Sequence, residues 1–284
     1  MDINGETQVY GVLGDPVTHS LSPVIHNAAF RQSHLNAIYL AFRVPAEALG
    51  LAFEGIRSMG IRGVNLTIPL KETALGFIDE IPEDVDRLTG AINTVVNEKG
   101  ILIGYNTDGL GFLTALKEEL AFSPSGKTVL VLGAGGAARS VIFSLARAGA
   151  ERVLIHNRTR SRAEGLAEHA SSHFPETEIE PVISLGELKL QKIDLVVNAT
   201  SCGLKGQGEM PFDLKILKNK AAVYDLVYSP LETPFLKAAK EWGHRSANGL
   251  GMLTAQAALS FERWTGKKDG VRQAMKEALL ACQG

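Results

Sequence analysis

The 284-residue chain holds two cysteines, Cys202 and Cys282. Two thiols make no disulfide framework, and their spacing matches no metal site. Both read as ordinary reduced thiols of a cytosolic protein, and no metal is expected. Charge of one sign is also missing: 29 Lys and Arg face 31 Asp and Glu, for a formal net charge of −2. That balance offers no basic surface to a nucleic acid or an anionic membrane. No apolar run is long enough to cross a bilayer, and the opening MDINGETQVYG lacks the basic start and apolar core of a signal peptide. A cytoplasmic location is therefore expected, and the Asn-x-Thr patterns at Asn65, Asn157 and Asn198 carry no expectation of glycosylation. There is no internal repeat and no low-complexity segment. What remains, 45% hydrophobic and 21% charged residues, is a globular composition at a length that suggests two domains.

Strand and helix signals alternate along the whole chain. Val9–Leu13, Ile38–Val44 and Gly63–Ile68 read as strands, separated by helices at Pro23–Ser33 and Ala46–Met59. Such alternation predicts a mostly parallel sheet covered by helices. Ile92–Val96 and Ile101–Tyr105, joined by Asn97-Glu98-Lys99-Gly100, read as an antiparallel hairpin. A helix over Leu110–Leu120 follows Asp108-Gly109. Further strands are expected at Thr128–Leu132, Arg152–His156, Asp194–Asn198 and Ala222–Leu226, with helices at Ala163–Ser172, Pro234–Trp242, Leu250–Thr265 and Gly270–Ala281. The last two helices are followed by no strand and must bury their apolar stripe elsewhere, for which the first domain is the natural acceptor. The fold class predicted is thus α/β: an N-terminal domain with a mostly parallel sheet, formed by 1–108 and 249–284, plus an inserted Rossmann-type domain over 109–248. A ligand cleft is expected between the two, at the carboxyl ends of the strands.

The inserted unit opens on TVLVLGAGGAAR, in which Gly133-Ala134-Gly135-Gly136-Ala137-Ala138 fits G-x-G-x-x-A at a strand-to-helix turn. Gly133 permits the tight turn, Gly135 admits a pyrophosphate against the backbone, and Ala138 lets helix and strand pack closely. An acid about 20 residues further on would select NAD through the ribose hydroxyls. This chain instead has Asn157-Arg158-Thr159-Arg160-Ser161-Arg162. Cations at a helix start are unfavourable unless an anion joins them, and guanidinium groups suit a 2′-phosphate, so the cofactor expected is NADP.

Outside that unit, polar residues gather at strand ends. Ser20 and Ser22 precede a helix whose free N–H groups suit a carboxylate, although Ser22 before Pro23 is equally an ordinary N-cap. His19 and His26 are expected to position this turn or to face solvent. Asn65 and Thr67 fall on one face of a strand end, with Pro69 stopping the strand before a helix bearing Lys71. Asn93 offers an amide with donor and acceptor. Asp108 either caps a helix or takes part in chemistry. Reducing a carbonyl with a nicotinamide needs a positioned proton donor. No histidine or tyrosine is placed for it and the Tyr-x-x-x-Lys pattern is absent, which leaves a lysine oriented by an aspartate.

With HSLSP (19–23), NLTIPLK (65–71), GAINTV (91–96), NTDG (106–109), GAGGAAR (133–139), NRT (157–159), NATSCG (198–203), DLVY (225–228) and NGLGMLTAQAA (248–258) in order, the chain resembles the NADP-dependent shikimate dehydrogenases over nearly its full length. The resemblance implies reversible reduction of 3-dehydroshikimate to shikimate by NADPH, in aromatic amino-acid biosynthesis. It implies that Ser20 and Ser22 hold the substrate carboxylate with Tyr228 nearby, and that Thr67, Asn93, Asp108 and Gln256 bind ring hydroxyls with Asn65 lining the pocket. Lys71 is then the general acid/base, assisted by Asp108. Gly133, Ala134, Gly135, Gly136 and Ala137 would carry the cofactor, Asn157, Arg158, Thr159 and Arg162 its 2′-phosphate, and Thr200, Leu226, Gly249 and Met252 the nicotinamide side. Leu226 stands where methionine is common in the family, and Cys202 is given no role. The rival readings are a quinate/shikimate dehydrogenase with relaxed cofactor use, against which Arg158 weighs, and a non-catalytic NADP-sensing protein, which would not need Lys71 and Asp108. A small-molecule substrate is expected as the partner, with the protein a monomer or a homodimer.

Overall fold

The computed structural model describes residues 3–186, 192–204, 210–217 and 219–282. The chain divides into two units, Met1–Gly111 with Thr254–Gly284, and Phe112–Leu253. Both boundaries fall inside helices, a few residues beyond those expected from the sequence.

The first unit alternates β1 (Gln8–Gly14), α1 (Ser22–Gln32), β2 (Ala37–Arg43), α2 (Leu49–Ser58), β3 (Gly63–Leu66) and the short α3 (Leu70–Thr73) and α4 (Asp84–Thr89). The hairpin β4 (Thr94–Glu98) and β5 (Ile101–Tyr105) leads into α5 (Asp108–Leu120). The sheet order is β2-β1-β3-β4-β5. β1 pairs in parallel with β2 and β3, whereas β4 pairs antiparallel with β3 and β5. The hairpin turn is tighter than the sequence reading: Asn97 and Glu98 remain in the strand, and Lys99 and Gly100 alone turn the chain, both at positive φ. The expected helix over Ala46–Met59 begins as a 3₁₀ turn at Ala46–Ala48 before α2. Leu49, Phe53 and Ile56 form the buried face of α2, at the helical spacing that places them on one side, and pack with Leu66, Leu70 and Ile92.

β2 forms one edge of this sheet. There Asn27 of α1 takes the place of a neighbouring strand: its Nδ2 donates to the Tyr39 carbonyl and its Oδ1 accepts from the Tyr39 N–H, both at 2.9 Å. The C-terminal helices, α9 from Thr254 onward and α10 (Val271–Ala281), belong to this unit, and α10 packs on α1 through Val271, Met275 and Leu279. Trp264 of α9 lies over β3 at Gly63, where a Cβ would stand 2.3 Å from its indole nitrogen. Glycine at 63 is what admits the ring.

The second unit contains β6 (Thr128–Leu132), α6 (Gly136–Arg147), β7 (Arg152–His156), α7 (Arg160–Ser171), β8 (Glu178–Pro181), β9 (Leu195–Asn198), β10 (Ala222–Asp225), α8 (Pro234–Glu241) and β11 (Arg245–Ala247), then the start of α9 (Leu250–Thr265). Its sheet runs β11-β10-β9-β6-β7-β8, and every neighbouring pair is parallel. This is the doubly wound dinucleotide-binding order, with its switch point between β6 and β9. β8 and β11 were not expected from the sequence. Each is a short outer strand of three or four residues, too brief to show alternation. The inner strands are apolar runs buried on both faces, as a helix-covered parallel sheet requires.

Candidate active site

Ligands of open α/β sheets bind beyond the carboxyl ends of the strands where the strand order reverses. In the first unit that point lies between β1 and β3. Beyond it, Thr67 N–H donates to the Leu13 carbonyl at 2.9 Å and Asp15 N–H to the Ile68 carbonyl at 3.0 Å, which holds the segment bearing Thr67 beside the end of β1. A Cβ at Gly14 would stand 2.3 Å from the Thr67 methyl, so this close approach needs glycine. Among the described residues the Thr67 hydroxyl has no hydrogen-bond partner.

Leu70 anchors α3 in the core and leaves Lys71 on its partly open side. The Lys71 ammonium pairs with Asp108 Oδ2, with side chains 16% and 6% exposed. This is no solvated surface lysine. The other carboxylate oxygen, Oδ1, accepts from Asn93 Nδ2 at 2.8 Å. Asp108 opens α5, and its carboxylate faces Lys71 and Asn93. Asn93 is itself oriented: its Oδ1 accepts the Thr107 N–H at 2.8 Å, which turns Nδ2 toward Asp108 and, at 3.2 Å, toward Gln256 Oε1. Gly111 makes this meeting possible, because a Cβ there would lie 2.7 Å from the Gln256 backbone nitrogen.

Asn65 is buried, and its amide is fully engaged. Nδ2 donates to the Asn93 carbonyl and to Ser260 Oγ, both at 3.0 Å, while Oδ1 accepts from the Tyr39 hydroxyl at 2.8 Å. Tyr39, Thr94, Thr107 and Ser260 thus join the site, and none was singled out from the sequence. Tyr39 lies in an apolar strand and Ser260 in an apolar helix stripe. The available signal was Ser260's spacing of four from Gln256, one helical turn. Burial raises the Tyr39 phenol well above its usual range, and the Ser22 hydroxyl opposes this in part.

Ser20 and Ser22 lie at the start of α1, where Ser20 Oγ accepts the Ser22 N–H at 3.2 Å. The N-cap position belongs to Leu21 and no side chain caps the helix, so Ser22 is not the N-cap that its place before Pro23 suggested. An uncapped helix start flanked by two hydroxyls is suited to a carboxylate. His19 is exposed, as expected. His26 is not: it is wholly buried, stacked on Tyr39 with ring centres 4.3 Å apart, and neither ring nitrogen makes a hydrogen bond among the described residues. Burial lowers its pKa to about 3. Asn65 is near enough to oppose that shift in part, though outside hydrogen-bonding geometry.

In the second unit, Gly133 adopts φ +117°, and a Cβ there would come within 2.8 Å of the Ala199 carbonyl. The two strands flanking the switch point meet at this glycine. Gly135 is the N-cap of α6 with no side chain capping it, and its Cβ position faces open space. Gly136, Ala137 and the fully buried Ala138 begin the helix. Thr200 donates to Asn198 Oδ1 at 2.6 Å, which fixes the loop after β9. Asn157 Nδ2 donates to the Thr159 carbonyl, and α7 starts at Arg160 with no acid in its first turn and no side-chain cap. Arg160 is paired with Glu164 at 2.6 Å. Arg158, Thr159 and Arg162 are exposed, and neither of the two arginines has an ion pair among the described residues. Two uncapped helix starts, room above Gly135 and two uncommitted guanidinium groups fit a dinucleotide carrying a 2′-phosphate. Gly249 lies against Leu226, whose carbonyl would stand 2.1 Å from a Cβ, and Met252 is buried in the first turn of α9. Tyr228 follows in the same unit, half-buried, its phenol pushed up by burial. Among the described residues no cluster of His, Cys, Asp or Glu could hold a metal, and no helix is long and apolar enough to cross a membrane.

Three family descriptions match the chain in order: a shikimate dehydrogenase substrate binding domain over residues 12–95, a shikimate/quinate 5-dehydrogenase over 115–205, and a shikimate 5′-dehydrogenase C-terminal domain over 249–280. A shikimate dehydrogenase (NADP(+)) of Geobacter sp. (strain M21) is 46% identical over 290 residues, covering 100% of this chain and 99% of its own. A crystal structure of a shikimate dehydrogenase in complex with NADP+ superposes with a TM-score of 0.90 at 38% identity, covering 99% of this chain and 97% of that one. The shikimate 5-dehydrogenase of Thermus thermophilus in complex with NADP(H) and shikimate gives 0.84 at 41% identity, with 95% and 99% covered.

Proposed function

This chain belongs to the shikimate dehydrogenase family, and from that premise we propose that it catalyses the reversible, NADPH-dependent reduction of 3-dehydroshikimate to shikimate, with Lys71 moving the proton. It is an oxidoreductase. The observation that carries the reading is the Lys71–Asp108 pair, whose carboxylate also accepts from the Asn93 amide. NADPH supplies the hydride when bound. As the ring carbonyl gains electrons, the Lys71 ammonium is the donor that delivers a proton to its oxygen; in the oxidation direction the same nitrogen takes the hydroxyl proton. Asp108 holds the ammonium in place and balances its charge, and Asn93 fixes Asp108 from the other side. Gln256 and Asn93 bind the ring hydroxyls together with Thr67, whose hydroxyl has no hydrogen-bond partner among the described residues. The uncapped start of α1, with Ser20 and Ser22, receives the carboxylate. Asn157, Arg158, Thr159 and Arg162 receive the 2′-phosphate, where a planar guanidinium binds in pairs of hydrogen bonds.

The test is to mix the purified protein with shikimate and NADP, or with shikimate and NAD, and to follow reduced cofactor by absorbance. Rapid turnover with NADP and little with NAD is expected. Turnover mainly with NAD, or with quinate in place of shikimate, moves the protein to the broader quinate/shikimate class. NADP binding without turnover establishes the sensor reading instead.

A further inference from the structure

We propose that Ser260 is a positioning residue, one that sets the affinity for the substrate's ring hydroxyls without touching substrate; the inference rests on the shikimate reading above. Ser260 is fully buried on α9, one helical turn beyond Gln256. Its hydroxyl lies within hydrogen-bonding distance of four groups from four different segments: the Gln256 carbonyl at 3.0 Å, Asn65 Nδ2 at 3.0 Å, Thr94 Oγ1 at 2.7 Å and Thr107 Oγ1 at 3.2 Å. A carbonyl only accepts, so Ser260 is the donor in its contact with Gln256. An amide Nδ2 only donates, so Ser260 accepts from Asn65. Toward Thr94 and Thr107 either hydroxyl can donate, and Thr94 also reaches Asn93 Oδ1 at 2.9 Å, so the hydroxyl protons have alternative places in this cluster.

Ser260 therefore ties the backbone at Gln256 to β3, β4 and the segment before α5 through one oxygen. That tie fixes how far the Gln256 side chain reaches over the sheet, where its Oε1 meets Asn93 Nδ2 at 3.2 Å. Both amides bind ring hydroxyls in the reading above. The Lys71–Asp108 pair, by contrast, has no hydrogen bond to Ser260 among the described residues. Removing the hydroxyl takes one hydrogen bond each from the Asn65 amide and the Thr94 hydroxyl, which keep Asn93 as a partner, and frees Gln256 to shift, while proton transfer keeps its groups.

The experiment compares steady-state kinetics of wild type, Ser260→Ala, Gln256→Ala and the double variant. Ser260→Ala is expected to raise KM for shikimate about tenfold, the scale of one lost buried hydrogen bond. Both kcat and KM for NADP are expected to stay within about twofold, the limit of an effect confined to substrate binding. In the Gln256→Ala background the same change is expected to add little, because the residue through which Ser260 acts is gone. Ser260→Cys, with a weak thiol donor of similar size, is expected to fall between. A lower melting temperature with unchanged KM for shikimate makes Ser260 an ordinary core residue and overturns the inference, as does an equal loss in kcat or full additivity with Gln256→Ala. No turnover of shikimate by the wild type overturns the functional reading itself, and this inference with it.

Discussion

His26 makes an acid-sensitivity prediction that can be worked through. Its ring is fully buried against Tyr39 and Trp264, and burial lowers its pKa from 6.5 to about 3. The folded protein therefore keeps this ring neutral over a range in which the unfolded chain protonates it. The unfolded state binds the extra proton, so stability is complete above about pH 6.5 and falls as pH falls, until the folded pKa is reached near 3. At 1.36 kcal/mol per unit the loss from this one residue is about 2 kcal/mol between pH 7 and pH 5, and about 5 kcal/mol in the limit. The latter is a large fraction of the 5–15 kcal/mol typical of whole domains. Carboxylates titrate in the same region, so the comparison needs a matched variant. His26→Phe keeps an aromatic ring on Tyr39 and removes both nitrogens. Urea unfolding at pH 7 and pH 5 is expected to show the variant losing about 2 kcal/mol less than wild type across that interval. Equal losses in the two proteins would refute the reasoning, since His26 would then be charged or hydrated in the fold.

Lys71→Ala is expected to lower kcat by at least ~100-fold while NADP binding measured by calorimetry stays near wild type, the pattern of lost proton transfer. Arg158→Asp is expected to weaken NADP binding at least ~10-fold and NAD binding much less, because a 2′-phosphate would face a carboxylate; fluorescence titration with both cofactors checks this. Gly249→Ala would place a methyl 2.1 Å from the Leu226 carbonyl. It is expected to cost about 1–3 kcal/mol, read as a lower melting temperature in scanning calorimetry, together with weaker NADPH binding.

The two sheets were legible in the sequence wherever a strand was long and buried. Arg152–His156 and Thr128–Leu132 are continuous apolar runs between turn signals, and they occur as read. β8 and β11 were missed because an outer strand of three or four residues shows neither alternation nor a run. The charged and amide residues of the site could be named because they sit in polar motifs at strand ends. The residues beneath them could not. Ser260 and Tyr39 look like core positions, and their hydroxyls gain meaning only when Asn65, far off in sequence, is brought between them. His26 was misread for a related reason: its neighbours Ile25, Ala29 and Phe30 put it on the buried face of α1, but a histidine with no partner is not what a core position usually holds.

The grip of Asn27 on both backbone groups of Tyr39 gives the outer strand of the first sheet a double duty. An open strand edge invites another chain to add on. At Tyr39 the invitation is already answered from within, by an amide that copies the donor and acceptor a new strand would bring. The same residue sends its hydroxyl inward to Asn65. One side chain on α1 thus covers the strand edge at Tyr39 and steadies the floor of the site, so a change at Asn27 would loosen both at once.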